Sequence, residues 1–412
     1  MSDILPRLFL THRRLVLTMW ALMAALNLTA ALVITSWPER QTDLDNIQRW
    51  GGSWLLRGDD IYATVWDYPT YPPHAIVLLS PLGSMSLDVM VRLWSLINLA
   101  LVLLAPYLAL RHVRPNLSAS DAALPLLMLL CWSGSRTLLQ FSLLTLTFGL
   151  ASPLLADRRP LLSGVCLGLA LMKPQIAAPF VVWAVITRRW NVVAVAFGVV
   201  LAGFGLYCAR AAAHPFEVIA NYASILRQLY AGEAIVVGLA QLRPVFRMAA
   251  STPSTVDALS LAAAAILFAA ICVVARAERP LDDRIKLAAP PMVALWSLLT
   301  FYHLTYGFLI LLPLAARLLL VATPGTQTYR RRLFWSLQLG MMFDVPGLSR
   351  RLVPLLSAPG WVDGILGHFD RVFVLGLYLA TAALALEAAR KGGPSTAATR
   401  PRSSDIIGAA DR

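Results

Sequence analysis

Apolar runs of about 20 residues recur along the chain, and they limit its possible folds more than any other feature. The chain is 58% hydrophobic and 14% charged, with a mean hydropathy of +0.67, whereas soluble domains carry about 25% charged residues. Runs of this length match the roughly 30 Å hydrocarbon core of a bilayer. They could not all be buried against one another in water. The composition therefore predicts an integral membrane protein.

The positive charge is concentrated in short clusters between these runs. The formal net charge is +13, which by itself would suggest a nucleic-acid partner. The arginines, however, form the pattern of cytoplasmic loops between membrane helices. The clusters are Arg13-Arg14, Arg158-Arg159, Arg188-Arg189 and Arg330-Arg331-Arg332. We therefore expect no nucleic-acid partner, contact with membrane lipids, and both termini in the cytoplasm.

The first polar interval is expected to face outward. Arginines precede an apolar run over about residues 15–34, which is longer than the core of a cleaved signal peptide and is interpreted as a retained anchor. The chain after it therefore leaves the membrane on the outer side. Residues 43–83 of this region contain five carboxylates, six aromatic residues and a YPP triplet. We expect a functional outer loop over about residues 37–73.

Several later apolar segments are too short to cross a bilayer. The segments 122–132, 141–156, 161–172 and 176–186 are each followed by polar residues. About 13 helical residues cover only about 20 Å. Broken helices of this kind are tolerated where their ends line a protein-enclosed cavity. A single span over 161–186, with Lys173 in lipid, is the alternative.

These patterns predict an all-α, polytopic membrane protein. We expect about 10–12 transmembrane helices, some of them short or broken, in one domain over residues 1–390. Residues 391–412 have the composition of a disordered cytoplasmic tail. The four cysteines lie singly, without the spacing of a metal site or a disulfide framework. We interpret them as packing residues and expect neither a bound metal nor a cofactor.

Polar side chains that this topology places at the outer ends of helices are candidates for a site, because ionisable groups at membrane depth are costly. Lys173 is interpreted either as a lysine that snorkels to the interface or as a cation for a phosphate group. His303 is either structural or a donor to a phosphate or sugar oxygen. The full set is Asp43, Asp45, Arg136, Gln140, Lys173, Gln175 and His303.

The five carboxylates of the first loop differ in their expected roles. Asp59, Asp60 and Asp67 lie in turn-like sequences and are expected to be structural. Asp43 and Asp45 precede an amphipathic stretch. Two roles are possible for these aspartates: to cap that helix, or to act as an acid or base at the rim of a cavity.

Four stretches of the chain resemble glycosyltransferase family 87, within the GT-C superfamily. They share with it an early acidic residue, a YPP triplet, a block ending in KPQ and a later histidine-bearing element. These stretches are DLDNIQRWGGSWLLRGDDIY, YPTYPPHAIVLLSPLG, the block from LLQFS to TRRW, and FYHLTYGFLILLPL. The resemblance covers roughly residues 40–320. Leu139 departs from it, since the family usually has glycine before the residue that corresponds to Gln140.

The resemblance implies a membrane enzyme that moves a hexose, most simply mannose, from a polyprenyl-phosphate donor to an envelope lipid or glycan acceptor. Asp43 or Asp45 would be the general base, with a preference for Asp45 from its spacing to Tyr62. Inversion of the anomeric carbon needs no metal, although a divalent ion is compatible with it. The donor-site candidates are Lys173, His303, Gln140, Arg136 and Tyr71, the last within the YPP element.

The site is expected on the outer face of a bacterial-type plasma membrane, the side that the arginines assign to the first loop. Two alternatives remain at this stage. One is a transporter or lipid flippase, and the other is a non-catalytic partner of an envelope-polymer assembly. Broken helices also occur in transporters, but no internal repeat is visible in the sequence.

Overall fold

The computed structural model describes residues 42–63, 69–113, 141–231, 241–250, 252–278, 289–300, 309–314 and 369–391, with a few isolated helical positions besides. These residues are helical and contain no strand. The helices are α1 (Thr42–Gly52), α2 (Pro73–Gly83), α3 (Leu87–Val113), α4 (Ser142–Leu155), α5 (Pro160–Ala170), α6 (Pro174–Ile186), α7 (Trp190–Ala211), α8 (Pro215–Ala231), α9 (Arg243–Ala249), α10 (Pro253–Glu278), α11 (Ala289–Thr300) and α12 (Phe369–Lys391). A π-helical turn, Ser53–Arg57, extends α1.

Among the described helices, three are long and apolar enough to cross a membrane: α3, α7 and α10. Several others, among them α2, α4, α5 and α6, are apolar but shorter. Large apolar side chains on α7 and α10 are exposed, including Phe197, Leu201 and Ile266, as expected for surfaces that face lipid tails. The prediction of an all-α membrane protein with long and short helices is confirmed. The run expected at about 15–34 lies largely outside the described residues.

The segment 161–186 is two helices, so the alternative of one long span is wrong. α5 ends at Ala170 and α6 begins at Pro174. Arg189 forms an ion pair with Asp157 at 2.5 Å. A continuous helix over these residues would separate its two ends by about 40 Å. The ion pair therefore requires α5 and α6 to form a hairpin, with Lys173 at one end and the arginine pairs at the other.

Proline residues determine where several helices start. α2, α5 and α6 each begin with proline, whose fixed φ suits the first helical turn and whose missing N–H has no partner there anyway. The residue before a proline is driven out of the helical region. Lys173, which precedes Pro174, accordingly has φ −122° and ψ 87°. The KPQ sequence therefore interrupts the helix and sets the backbone conformation of the lysine.

Close helix contacts depend on small residues. Gly164 and Gly168 of α5 lie against Val195 and Val199 of α7, where a Cβ would be 2.5–2.6 Å from the valine Cβ atoms. α1 and α2 approach similarly through Gly52 and Gly83. Small residues permit such packing where no hydrophobic force brings helices together in lipid. The second contact fixes α1, and hence the first-loop carboxylates, against α2.

The buried side chains form two clusters. One is aliphatic and joins α3–α7 with α10–α12. The other is rich in aromatic residues and lies where α1, α2 and the C-terminal end of α7 meet. Its members include Trp50, Trp54, Tyr62, Tyr71 and Tyr207. The candidate site lies beside this aromatic cluster.

Candidate active site

Three of the predicted site residues meet at one carboxylate. Lys173 Nζ lies 3.5 Å from Asp43 Oδ2, and the Tyr71 hydroxyl donates to the same oxygen at 3.0 Å. Lys173 also donates to Ser142 Oγ at 3.1 Å. The lysine ammonium lies 5.3 Å from the centre of the Tyr71 ring, within the range of a cation–π contact. The cluster joins residues that are 130 positions apart in sequence.

Local structure places each member of this cluster. Asp43 lies in the first turn of α1, where the helix dipole favours a negative charge. Tyr71 precedes Pro72, which caps α2 in an extended conformation. Lys173 follows the end of α5. The N-terminal ends of three helices, α1, α2 and α6, therefore meet at the carboxylate, and two of them, α2 and α6, begin with proline.

The Lys173 ammonium is buried, contrary to the snorkelling interpretation. The side chain of Lys173 is 6% exposed and that of Asp43 is 21% exposed. A snorkelling lysine extends its ammonium into water, which this one does not do. A buried charge is costly unless it is paired and hydrogen-bonded. Asp43 and Ser142 supply such partners.

Asp45 does not join the cluster. It also lies in the first turn of α1 and is half-buried, but within the described part of the chain no hydrogen bond or ion pair to it is found. The geometry thus favours Asp43 over Asp45, the opposite of the preference drawn from the spacing to Tyr62. Arg136, Gln140 and His303 lie outside the described residues, so their predicted roles stay predictions.

Ser142 and Phe141 are contacts that the sequence reasoning missed. Ser142 is fully buried at the start of α4, and Phe141 packs edge-on against Tyr71 with ring centres 5.8 Å apart. The sequence signal that could have identified both residues is their position directly after Gln140, which is a predicted donor-site residue. His74 was also missed. It is buried in the first turn of α2, and its Nε2 has no hydrogen-bond partner among the described residues.

The rest of the first loop has structural contacts, as expected for Asp59 and Asp60. Gly58 ends the π-helical turn with φ +77°, a conformation that favours glycine. Asp59 Oδ2 accepts from Ser53 at 2.5 Å and from Arg57 at 2.7 Å. These two hydrogen bonds, Ser53 first, lower the pKa of Asp59. Asp67 lies outside the described residues.

Asp60 connects the loop to α7 through Tyr207. Its Oδ1 accepts from the Tyr207 hydroxyl at 2.8 Å and from the Tyr62 backbone N–H at 3.1 Å. The Tyr62 hydroxyl in turn donates to the Tyr71 carbonyl at 2.6 Å. Burial, followed by the neighbouring Tyr207, raises the pKa of Tyr62 well above its usual value. The loop is therefore fixed at both ends, and Tyr71 is fixed with it.

An open depression of about 800 Å³ lies beside α1 and the π-helical turn. Polar side chains from the second half of α1 and from the turn line it. Trp50 lines it as well, and the Trp50 ring is 6.5 Å from that of Tyr71. The depression is therefore separated from the Asp43 cluster by one aromatic pair. In the described part of the chain, no group of three or more His, Cys, Asp or Glu side chains is arranged to hold a metal ion.

The chain is therefore a membrane protein whose helices enclose a polar site. At that site a buried ammonium–carboxylate pair lies at a break between two short apolar helices. The sequence model of glycosyltransferase family 87 matches residues 70–301, more than half of the chain. The chain belongs to glycosyltransferase family 87 and is a transferase. No curated protein and no solved structure matches it. The matched range contains Tyr71, Ser142 and Lys173 and begins after Asp43.

Family membership confirms the resemblance, and the matched range contains the YPP stretch from residue 70 and the block with KPQ. The first stretch and nearly all of the histidine-bearing one lie outside the match, so their correspondence to the family stays a prediction. Family membership also supports a sugar donor and an acceptor as substrates. Transfer chemistry, rather than transport or a non-catalytic role, is what the family implies. The matched range ends before residue 303, so the predicted histidine lies outside both it and the described residues.

Proposed function

We propose that this protein transfers a hexose, with mannose as the expected sugar, from a polyprenyl-phosphate donor to a hydroxyl of an envelope lipid or glycan. The reaction takes place on the outer face of a bacterial-type plasma membrane and inverts the anomeric carbon. The observation that carries the proposal is the contact of Lys173 with Asp43 at 3.5 Å. It places a cation suited to a phosphate beside a carboxylate suited to act as a base.

The donor requires an apolar surface and a cation close together. A prenyl chain can lie along the apolar helix faces, and its phosphate needs positive charge where those faces end. Lys173 lies at such an end, between α5 and α6. A compact ammonium binds phosphate as a point charge. We infer that the phosphate replaces Asp43 as the partner of Lys173 when the donor binds.

Asp43 is then available to accept a proton from the acceptor hydroxyl. Tyr71 and Lys173 both contact Oδ2, and no described residue hydrogen-bonds Oδ1. The acceptor hydroxyl is therefore expected to approach Oδ1, while Tyr71 keeps the carboxylate oriented. A general base in this position contributes about 10²–10⁴-fold. Direct displacement with one base and no covalent intermediate inverts the sugar.

Lys173 stabilises the phosphate as it leaves. Negative charge grows on the phosphate oxygens in the transition state, and a fixed cation in a site with little water stabilises it more than water would. Removal of one such group typically costs about 10²–10³-fold in kcat. This contribution is distinct from that of Asp43, which acts on the acceptor.

The arginine pattern supports the outward orientation. The ion pair between Arg189 and Asp157 gathers the connections before α5 and after α6 at one end of the hairpin. Those connections also hold Arg158, Arg159 and Arg188, and positive loops favour the cytoplasm. The Lys173 end of the hairpin is opposite. The donor phosphate would therefore bind on the outer side.

The proposal is tested with the purified full-length protein and radiolabelled polyprenyl-phosphate mannose, with the arabinose analogue in parallel. Decyl mannosides of one to three residues and an envelope lipid extract serve as acceptors. We expect transfer from the mannose donor by the wild type. Asp43→Asn should lower kcat about 10²–10⁴-fold, and Lys173→Ala should lower kcat about 10²–10³-fold and raise the KM for the donor.

Asp45→Asn is the matched control, because it makes the same change two residues away in the same helical turn. It should retain most of the activity and leave the donor KM unchanged. Full activity of Asp43→Asn would refute the assignment of the base. Absence of transfer from either donor to every acceptor would refute the proposed reaction.

A further inference from the structure

We propose that the depression beside α1 is a distal acceptor subsite, which binds uncharged sugar residues of a glycan whose terminal hydroxyl reacts at Asp43. This inference rests on the proposed function and adds to it a substrate class: a neutral acceptor longer than one sugar. Its basis is the position, the charge balance and the rigidity of the depression.

The depression lies along α1 from the Asp43 carboxylate. Trp50, which lines the depression, follows Asp43 by seven residues on α1. That is two helical turns, about 10 Å along the axis, and it returns to the same face. The contact of Trp50 with Tyr71 joins the two places. A ligand that spans both must therefore be longer than a single hydroxyl-bearing ring.

The charges of the depression favour a neutral ligand. The charged residues that line it are two arginines, Arg49 and Arg57, and two aspartates, Asp59 and Asp60, so they balance. A phosphate placed here would approach the aspartates as well as the arginines and gain little. A sugar hydroxyl both donates and accepts, and guanidinium donors beside carboxylate acceptors match it. Gln48 and Ser53 add amide and hydroxyl groups.

The wall of the depression is held in place by α7. Arg210 donates to the carbonyl oxygens of Leu55 and Leu56 in the π-helical turn, at 3.0 and 3.3 Å. Within that turn, Arg57 donates to Ser53 Oγ at 2.6 Å. π-helical turns are rare and occur frequently at functional sites. Groups fixed before binding lose less entropy when the ligand arrives.

The experiment measures saccharide binding without the donor. Methyl mannosides of one, two and three residues are titrated calorimetrically into the purified full-length protein. We expect the trisaccharide to bind about tenfold more tightly than the monosaccharide, equivalent to about 1.4 kcal/mol. In Lys173→Ala, which lacks the proposed phosphate site, a phosphorylated mannobiose should bind no more tightly than the neutral one.

The variant Arg57→Gln/Asp59→Asn should lose this length dependence while it still binds the monosaccharide. Both side chains lie at the surface, 69% and 45% exposed, and the contacts of Arg210 with the turn remain, so we expect the fold to be kept although the turn loses its internal ion pair. The matched control is Arg243→Gln/Asp257→Asn, which removes another arginine–aspartate pair on α9 and α10. The control should keep the length dependence.

Three results would overturn the subsite: equal affinity for all three lengths in the wild type, unchanged length dependence in Arg57→Gln/Asp59→Asn, or tighter binding of the phosphorylated saccharide by Lys173→Ala. The proposed function is tested separately. Lys173→Ala should transfer more slowly and keep the binding. Length-dependent binding by a wild type that transfers no sugar would support the subsite and refute the reaction.

Discussion

Removal of the negative charge at Asp43 should destabilise the protein through Lys173. In Asp43→Asn, the ammonium stays buried beside a neutral group. At 3.5 Å and an effective dielectric constant of about 20, the lost attraction is about 5 kcal/mol. Breaking one side of a buried ion pair costs about 3–5 kcal/mol. Since Ser142 still accepts a hydrogen bond from the lysine, we expect a loss of about 3 kcal/mol in the free energy of unfolding.

The double variant Asp43→Asn/Lys173→Met removes both charges together. A buried ion pair replaced by neutral groups of similar volume is often neutral in stability. We therefore expect the double variant to recover most of the loss, with a coupling energy of about 3 kcal/mol from the double-mutant cycle. Equilibrium unfolding in mixed micelles, followed by tryptophan fluorescence, measures all four proteins.

Activity measurements show whether the pair of Asp43 and Lys173 is only structural or also takes part in the reaction. Asp43→Asn should lose about 10²–10⁴-fold in kcat, and the double variant should be no more active than either single variant. Recovery of stability without recovery of transfer is the expected result. A coupling energy below about 0.5 kcal/mol would refute the pairing. Wild-type transfer by the double variant would refute the chemical roles of both residues.

Three further changes test the surroundings of the pair. Tyr71→Phe keeps the ring and removes the hydrogen bond to Asp43, so kcat should fall about tenfold and the free energy of unfolding by about 1 kcal/mol. Gly83→Ala adds a Cβ 2.8 Å from the Gly51 carbonyl carbon; thermal unfolding should show lower stability, whereas Gly205→Ala, with open space around it, should not. Gly58→Ala adds a side chain at φ +77°, which should cost about 1–2 kcal/mol in the same assay and weaken trisaccharide binding.

The helical segments were largely predictable because their signals are local. Apolar runs and proline residues act over a few positions, so the segments expected at 141–156, 161–172 and 176–186 coincide closely with α4, α5 and α6. The KPQ break was predicted for the same reason, since proline restricts its own φ and that of the residue before it. The number of membrane crossings stays a prediction, since only part of the chain is described.

The partners within the site were less predictable because they depend on long-range packing. Asp43 and Asp45 are nearly equivalent in local sequence, and both lie in the same helical turn. The choice between them depends on the rotation of α1, which its close contact with α2 determines through Gly52 and Gly83. That contact has no local sequence signature. Ser142 was missed for the same reason, because its role depends on a lysine from another helix.

The shared use of Lys173 links donor binding to activation of the base. In the free enzyme the ammonium contacts the carboxylate, so a donor phosphate must compete with Asp43 for it. Asp43→Asn removes both the competitor and the repulsion between carboxylate and phosphate. This variant should therefore bind the donor more tightly than the wild type although its kcat is about 10²–10⁴-fold lower. Weaker donor binding by Asp43→Asn would show that the phosphate does not take the place of the carboxylate, and that Lys173 serves the fold alone.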